Sequence, residues 1–377
     1  MGTYTLYGAE CSYYSAKIRS YLRCKRIPYR ERTNADEGYR ERARVAVGFD
    51  VIPIMETPDG EIVQDTVDMI DHLEPLFPDV PAYPTGAVTG WAARFLATYA
   101  SHGLIRAGLH FRWSYRQDNL DFIHHEFGRT ILPNGPESEQ VAMGVKIARR
   151  ITSFLPFQGV VPETVEAIED SCIELMRLMD RHFEAHPYLL GGQPTLADYA
   201  MTGPFYGHFA RDPYPSNLMK RIAPNLFRWT ERMNWPDMAA EFADYPVDLF
   251  ADDAIPETLK AIIAHAASDF SNELSQTLDS MDAWFGGNPQ ISTGMRLPAE
   301  RGAGYMSSHV LEVHGVPMSV PIKANIQWEH QKAADFYDSL TDRSVLDGLL
   351  ADCGLLDLMQ RPIARRIRRQ DFGFVAV

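Results

Sequence analysis

Residues 51–66, VIPIMETPDGEIVQDT, leave few architectures open. Pro53 stands between Val51-Ile52 and Ile54, where a proline is tolerated only at the start or edge of a strand. Pro58-Asp59-Gly60 supplies a turn, Glu61 to Val63 a returning strand, and Gln64-Asp65-Thr66 the opening of a helix over 66–73. Upstream, TYTLYG (3–8) is β-branched and aromatic and reads as a strand ending at Gly8. Residues 14–26 read as a helix with Ile18, Tyr21 and Leu22 on one face, stopping before Ile27-Pro28 because the residue ahead of a proline avoids helical backbone. Tyr29 to Arg32 reads as a second strand, and 35–47 as a helix exposing Arg40, Arg42 and Arg44. The predicted order is β-α-β-α-β-β-α.

Residues 74–86, EPLFPDVPAYPTG, hold four prolines and read as a linker. Beyond them the period becomes helical, most clearly at 165–183, where Ile168, Cys172, Leu175, Met179 and Phe183 share one face. The whole of 87–250 is expected to be helical. After Pro256 the pattern changes again, to helices over 257–285 and a hairpin over 309–328 that turns near Gly315, with Pro317 and Pro321 marking an edge strand. The tail carries Arg361, Arg365, Arg366, Arg368 and Arg369, expected to form internal ion pairs at a helix end. Three units follow: 1–78, 87–250 and an extension, 256–377.

The chain has 377 residues, enough for two or three domains, and a formal net charge of −14. That balance argues against a general nucleic-acid binder, which needs a basic field to displace counterions. Four scattered cysteines, without CxxC or paired histidine spacing, argue against a disulfide framework or a structural zinc site. His124-His125-Glu126 has no partner histidine one turn on, so a metal centre is not expected there. The N-terminus shows no basic region followed by an apolar core, and no run of 18 apolar residues occurs. A reducing cytoplasm is the expected compartment.

Three stretches carry residues able to do chemistry. At Ile52-Pro53, a cis bond would turn the Ile52 N–H and C=O outward to pair with an extended peptide, whereas a trans proline would simply begin an edge strand. At Gln64-Asp65-Thr66, Thr66 is expected as the helix N-cap. Free N–H groups there attract a carboxylate and Asp65 can hold an ammonium, although plain capping needs the same residue types. Cys11-Ser12-Tyr13-Tyr14-Ser15 bridges the first strand and helix, where the helix dipole stabilises an anion such as a thiolate. A weaker fourth candidate is the aromatic and basic run from His110 to Arg116, which suits either a pocket wall or an amphipathic helix.

Taken together, LYGAECSYYSAKIRSYLRCKRIPY, VIPIMETPDGEIVQDTVDMIDHLE and YLLGGQPTLADYAMTGPFYG (188–207) resemble the glutathione transferase superfamily over roughly residues 1–240. The resemblance implies an α/β thioredoxin-like N-terminal domain and an all-α glutathione-transferase C-terminal domain with a Thr195/Asp198 capping box, followed by an α+β C-terminal extension. It implies glutathione as co-substrate, no metal, and activation of the thiol for attack on a small hydrophobic or aromatic electrophile. Ile52, beside Pro53, would pair with the cysteinyl part, Gln64, Asp65 and Thr66 would hold the γ-glutamyl end, and an arginine of 40–44 would reach the glycine carboxylate. Ser12 falls on the family's nucleophile-turn position, with Tyr14, Ser15 and Cys11 behind it. The usual next residue, proline, is Tyr13 here. Trp113 and Tyr115 are expected beside the electrophile. The implied partners are glutathione, the electrophile and a second copy in a homodimer, with neither nucleic acid nor membrane. The rival readings are a glutaredoxin-like thiol transferase using Cys11 and a non-catalytic transferase-like binding protein.

Overall fold

The computed structural model describes residues 2–236, 247–298 and 305–377. The first unit follows the order read from sequence: β1 (Tyr4–Tyr7), α1 (Tyr13–Cys24), β2 (Tyr29–Arg32), a π turn (Tyr39–Ala43) continuing into α2 (Arg44–Val47), β3 (Ile54–Glu56), β4 (Ile62–Gln64) and α3 (Thr66–Leu73). The sheet order is β2-β1-β3-β4, with β1 parallel to β2 and antiparallel to β3. Tyr7 opposes Ile54 and Ile54 opposes Gln64, so the register aligns the end of β1, the start of β3 and the end of β4. Leu6 and Met55 from the sheet, Ile18, Tyr21 and Leu22 from α1, and Met69, Ile70 and Leu73 from α3 share one core. Apolar residues three and four apart on each helix produce that seam.

The second unit comprises α4 (Ala87–Thr98), α5 (Ile105–Trp113), α6 (Arg116–Ile131), α7 (Glu137–Thr152), α8 (Val165–Ala185), α9 (Leu196–Pro204), α10 (Pro213–Ile222) and α11 (Pro224–Asn234). Residues 237–246 of the expected helical unit lie outside the described part. The Thr195/Asp198 capping box is present at the start of α9, and the Asp198 carboxylate also accepts from Leu189 N–H and Trp229 Nε1. Buried Trp91, Tyr99, Tyr199, Phe209 and Trp229 fill the bundle.

The extension runs α12 (Glu257–Gly287), β5 (Tyr305–Val313), β6 (Val316–Lys323), α13 (Ala324–Ser339), α14 (Ser344–Asp352), α15 (Leu356–Gln360), β7 (Ile367–Gln370) and β8 (Gly373–Ala376). The expected hairpin is present and turns at His314-Gly315, but it ends at Lys323, and Ala324 to Trp328 belong to α13 instead. Helix-favouring Ala, Gln, Glu and Lys fill α13, so the strand pattern stops where those residues begin. The arginine-rich tail forms internal ion pairs as expected, Arg361 with Asp279 and Asp282 and Arg366 with Asp335. Arg368 and Arg369 stand on β7, however, and not at a helix end.

The extension is not a separate layer. Leu259, Ile262, Phe270, Ile326 and Tyr337 join the same core as the first two units. α13 packs on α4, where the Arg94 guanidinium lies 4.3 Å from the Phe336 ring centroid. Lys332 pairs with Asp71 of α3 at 2.7 Å, and in the segment leading into the extension Asp252 accepts from the first N–H groups of α4 at 2.6 and 2.9 Å. No described helix is long and apolar enough to cross a membrane.

Candidate functional site

A cleft of about 430 Å³ opens where all three units meet. The first unit contributes Val51, Ile52 and Pro53 from the approach to β3, and Gln64, Asp65 and Thr66 from the β4–α3 junction. The second contributes an apolar wall of Ile105, Leu109, Ile151 and Phe154, and the extension adds Lys323, Asn325, Glu329 and Arg369. One side of the cleft is thus polar and the other apolar, a mixture usual in small-molecule sites.

The Ile52–Pro53 bond is cis. Strand pairing of β3 begins only at Ile54, and no described residue hydrogen-bonds to the main chain of Ile52. The N-cap of α3 is Asp65 and not Thr66: Asp65 Oδ1 accepts from Val67 N–H at 2.9 Å, and Thr66 is the first helical residue. The expectation misplaced the cap by one because Asp65 adopts φ 81°, ψ 135°, a backbone setting that L-residues rarely hold. Asp65 also lines the cleft. Thr66 Oγ has no hydrogen-bond partner among the described residues.

The same corner receives Arg369 from β7. Its Nε donates to Asp68 Oδ2 at 2.7 Å and its Nη2 to Gln64 Oε1 at 2.6 Å and Gln64 O at 3.3 Å. Its Nη1 lies 3.8 Å from Asp65 Oδ2. The guanidinium is sandwiched near the rings of Trp328 and Phe374, at 5.5 and 5.4 Å. Burial and the Asp65 charge push Asp68 up to about 6, against the pull of Arg369 and Lys332. The corner therefore combines two carboxylates and a cation, where the sequence had suggested one carboxylate alone.

Buried charges continue from the cleft lining, where His102, Lys323 and Glu329 stand, to Arg106 and Glu273 behind it. His102 Nε2 meets Glu329 Oε1 at 2.9 Å, Arg106 Nη1 donates to Glu273 Oε2 at 2.5 Å, and Lys323 Nζ is 3.6 Å from Glu273 Oε1. Burial would raise Glu273, but Arg106 and Lys323 hold it down at about 2. Burial lowers Lys323 despite Glu273. These pairs tie His102 to α13 and α5 to α12, and they fix the extension's side of the cleft.

The turn from 9 to 15 splits its candidates. Ser12 caps α1, its Oγ accepting from Ser15 N–H at 3.3 Å. Ser15 is fully buried, its Oγ accepting from Ala9 N–H at 3.3 Å. Cys11 is also buried, and burial pushes its thiol up, opposite to the shift that makes a cysteine reactive. Among these four, Tyr14 is the one that lines the cleft, and its OH donates to Ser101 O at 2.9 Å. Tyr13, standing where the family has proline, turns into the helical unit. A β-carbon at Gly203 would sit 3.0 Å from its ring, so the bulk at 13 is matched by its absence at 203.

Trp113 and Tyr115 lie outside the cleft lining. Trp113 is buried with Ile123, Ala148 and Phe127 where α6 and α7 close over the last turn of α5. Tyr115 donates to Glu169 at 2.5 Å and stacks on Tyr214. The α5 residues that do face the cleft, Leu109 and Ile105, are one and two turns earlier. Arg42 pairs with Glu56 and Arg44 with Asp50, and neither reaches the lining. The extension's four lining residues went unseen in the sequence, because nothing local ties positions 323–369 to position 65.

Two family descriptions match this sequence, the glutathione S-transferase N-terminal domain over residues 6–81 and the glutathione S-transferase C-terminal domain over 162–232. No curated protein matches it. Similar solved structures include a glutathione S-transferase from Methylobacterium radiotolerans in complex with glutathione sulfonate, at 18% identity over 66% of this chain and 100% of that one, TM-score 0.38. Another, from Methylobacillus flagellatus with glutathione bound, shares 20% identity over 60% of this chain and 93% of that one, TM-score 0.36. A beta-etherase from Sphingobium shares 14% over 61% and 94%, TM-score 0.41. With both family domains matched in order, and with the four-stranded sheet and helical bundle on which they fall, this protein carries the N-terminal and C-terminal domains of the glutathione S-transferase family.

Proposed function

We propose that the protein is a glutathione transferase, holding glutathione along the Ile52 side of the cleft and an electrophile with an apolar body against Ile105, Leu109, Ile151 and Phe154. The observation that carries this reading is the convergence, in one cleft, of an unpaired Ile52 main chain, the Asp65–Thr66 corner and an apolar wall opposite. Ile52 pairs with the cysteinyl residue as one more strand would. The γ-glutamyl end lies at the corner, which directs the sulfur toward the start of α1.

There the positive end of the helix dipole favours thiolate over thiol. Ser12, which caps that helix from just outside the cleft lining, donates the hydrogen bond to sulfur once the ligand is seated. Its oxygen already accepts from Ser15 N–H, which leaves its own hydrogen for a donor role, whereas the Tyr14 hydrogen is engaged by Ser101 O. A hydrogen bond to the charged form lowers the thiol pKa. The thiol proton leaves to solvent, the sulfur lone pair forms the new S–C bond, and the electrophile's leaving group departs with its electron pair. Turnover with glutathione and a chlorinated dinitroarene tests this: Ser12→Ala should lower kcat at least tenfold, with Tyr14→Phe much less affected. Unchanged turnover in Ser12→Ala removes Ser12 from the role, and no binding of glutathione at millimolar concentration removes the function.

A further inference from the structure

We propose that Arg369, brought from the last hairpin of the extension, is the specificity residue for the γ-glutamyl end, so that the extension is part of the ligand site. This rests on the reading of the cleft as a glutathione site. The guanidinium has five N–H donors in a fixed fork. Nε–H goes to Asp68 Oδ2 and the Nη2 donors to Gln64 Oε1 and O. The two hydrogens of Nη1 have no hydrogen-bond partner among the described residues, since Asp65 Oδ2 at 3.8 Å is beyond bonding range. The side chain is 7% exposed yet lines the cleft.

Asp65 offers the complementary half. Oδ1 is engaged by Val67 N–H, whereas Oδ2 faces the Nη1 side across the 3.8 Å gap. A zwitterionic α-amino acid end presents one carboxylate and one ammonium on the same carbon. Its carboxylate fits between Arg369 Nη1 and Thr66, and its ammonium meets Asp65 Oδ2. Neither charge alone is served as well. An ammonium without the carboxylate meets the Arg369 cation, and a carboxylate without the ammonium meets Asp65 and Asp68. The Asp68 and Gln64 contacts hold the fork in place, so little side-chain freedom is lost on binding.

The test compares glutathione with cysteinylglycine, which lacks the γ-glutamyl group, by titration calorimetry on the full-length chain and its Arg369→Gln and Arg369→Lys variants. Arg369→Gln should weaken glutathione about 10- to 100-fold, the range of one charge-assisted hydrogen bond to a ligand carboxylate, and leave cysteinylglycine within about twofold. Arg369→Lys keeps the charge but cannot reach Asp68, Gln64 and the ligand together, so it should weaken glutathione alone, by less. Equal weakening of both ligands assigns Arg369 a structural role and overturns the proposal. Unchanged or tighter glutathione binding in Arg369→Gln overturns it as well, the second result identifying Arg369 as a plug. Should Arg369→Gln fail to fold, the Arg369→Lys comparison decides by the same criterion. A wild-type protein that binds no glutathione overturns the glutathione reading itself, and this inference with it; unchanged binding in a variant of a glutathione-binding wild type overturns this inference alone.

Discussion

Arg369 Nε lies 2.7 Å from Asp68 Oδ2, joining residues 301 positions apart at the mouth of the cleft. The contact sits on an acidic stripe, Asp65, Asp68 and Asp71, spaced three apart along one side of α3. Arg369 meets the first two and Lys332 the third. The first unit and the extension therefore meet through charge at the place where ligand recognition is proposed.

Asp68 titrates at about 6 in the fold, against an ordinary 3.8. The fold thus binds this proton more tightly than the unfolded chain does. Its contribution to stability is fully present below about pH 3.8 and is lost as pH rises through about 6. Asp68→Asn does not titrate there. Chemical denaturation from pH 4.5 to 7.5 should show wild type losing stability relative to the variant as pH rises. A constant difference across that range would refute the assignment.

Asp65 combines a capping role with a backbone setting suited to glycine. Asp65→Gly should lose the cap but relieve the backbone, whereas Asp65→Ala loses the cap and keeps the strain. The alanine variant is expected to be the less stable of the two by about 1–2 kcal/mol, by urea unfolding. Both should lose most glutathione affinity. Equal stabilities would show that the φ of 81° is not maintained in solution.

The buried charges at and behind the cleft lining depend on Glu273, which answers both Arg106 and Lys323. Removing it leaves two buried cations without an anion, so Glu273→Gln should destabilise by about 3–5 kcal/mol. Replacing Arg106, Glu273 and Lys323 together with apolar residues should cost less than the single change. Thermal melts of both variants decide between them.

The thiols give a simpler check. Burial pushes up the thiols of Cys11, Cys172 and Cys353, but Cys11 and Cys172 are buried whereas Cys353, like Cys24, is half-buried. In the native protein a thiol reagent at pH 8 should modify Cys353 well before either buried residue. Rapid labelling of Cys11, or loss of turnover in Cys11→Ser, would revive a mixed-disulfide mechanism.

Much of the fold was written locally. The element order of the first unit and the helix over 66–73 follow from strand residues, turn residues and helical period, whereas the Thr195/Asp198 box was expected from the family resemblance. The cap at residue 65 was misplaced because an aspartate with φ 81° is invisible to propensity. Trp113 looked like a pocket residue because its neighbours are aromatic and basic, yet the helix that carries it had been covered by α6 and α7. Arg369 looked like one charge in a basic tail, since only the fold brings β7 to the end of β4. Local chemistry specifies elements, and long-range packing specifies which side chains share a cleft.

The most direct test is a crystal structure of the protein with glutathione. The account predicts the cysteinyl main chain paired with Ile52, the γ-glutamyl carboxylate between Arg369 Nη1 and Thr66, its ammonium on Asp65, and the sulfur within hydrogen-bond distance of Ser12 Oγ. Glutathione found elsewhere, or a cleft that stays empty at saturating ligand with the Arg369 contacts unchanged, would contradict it.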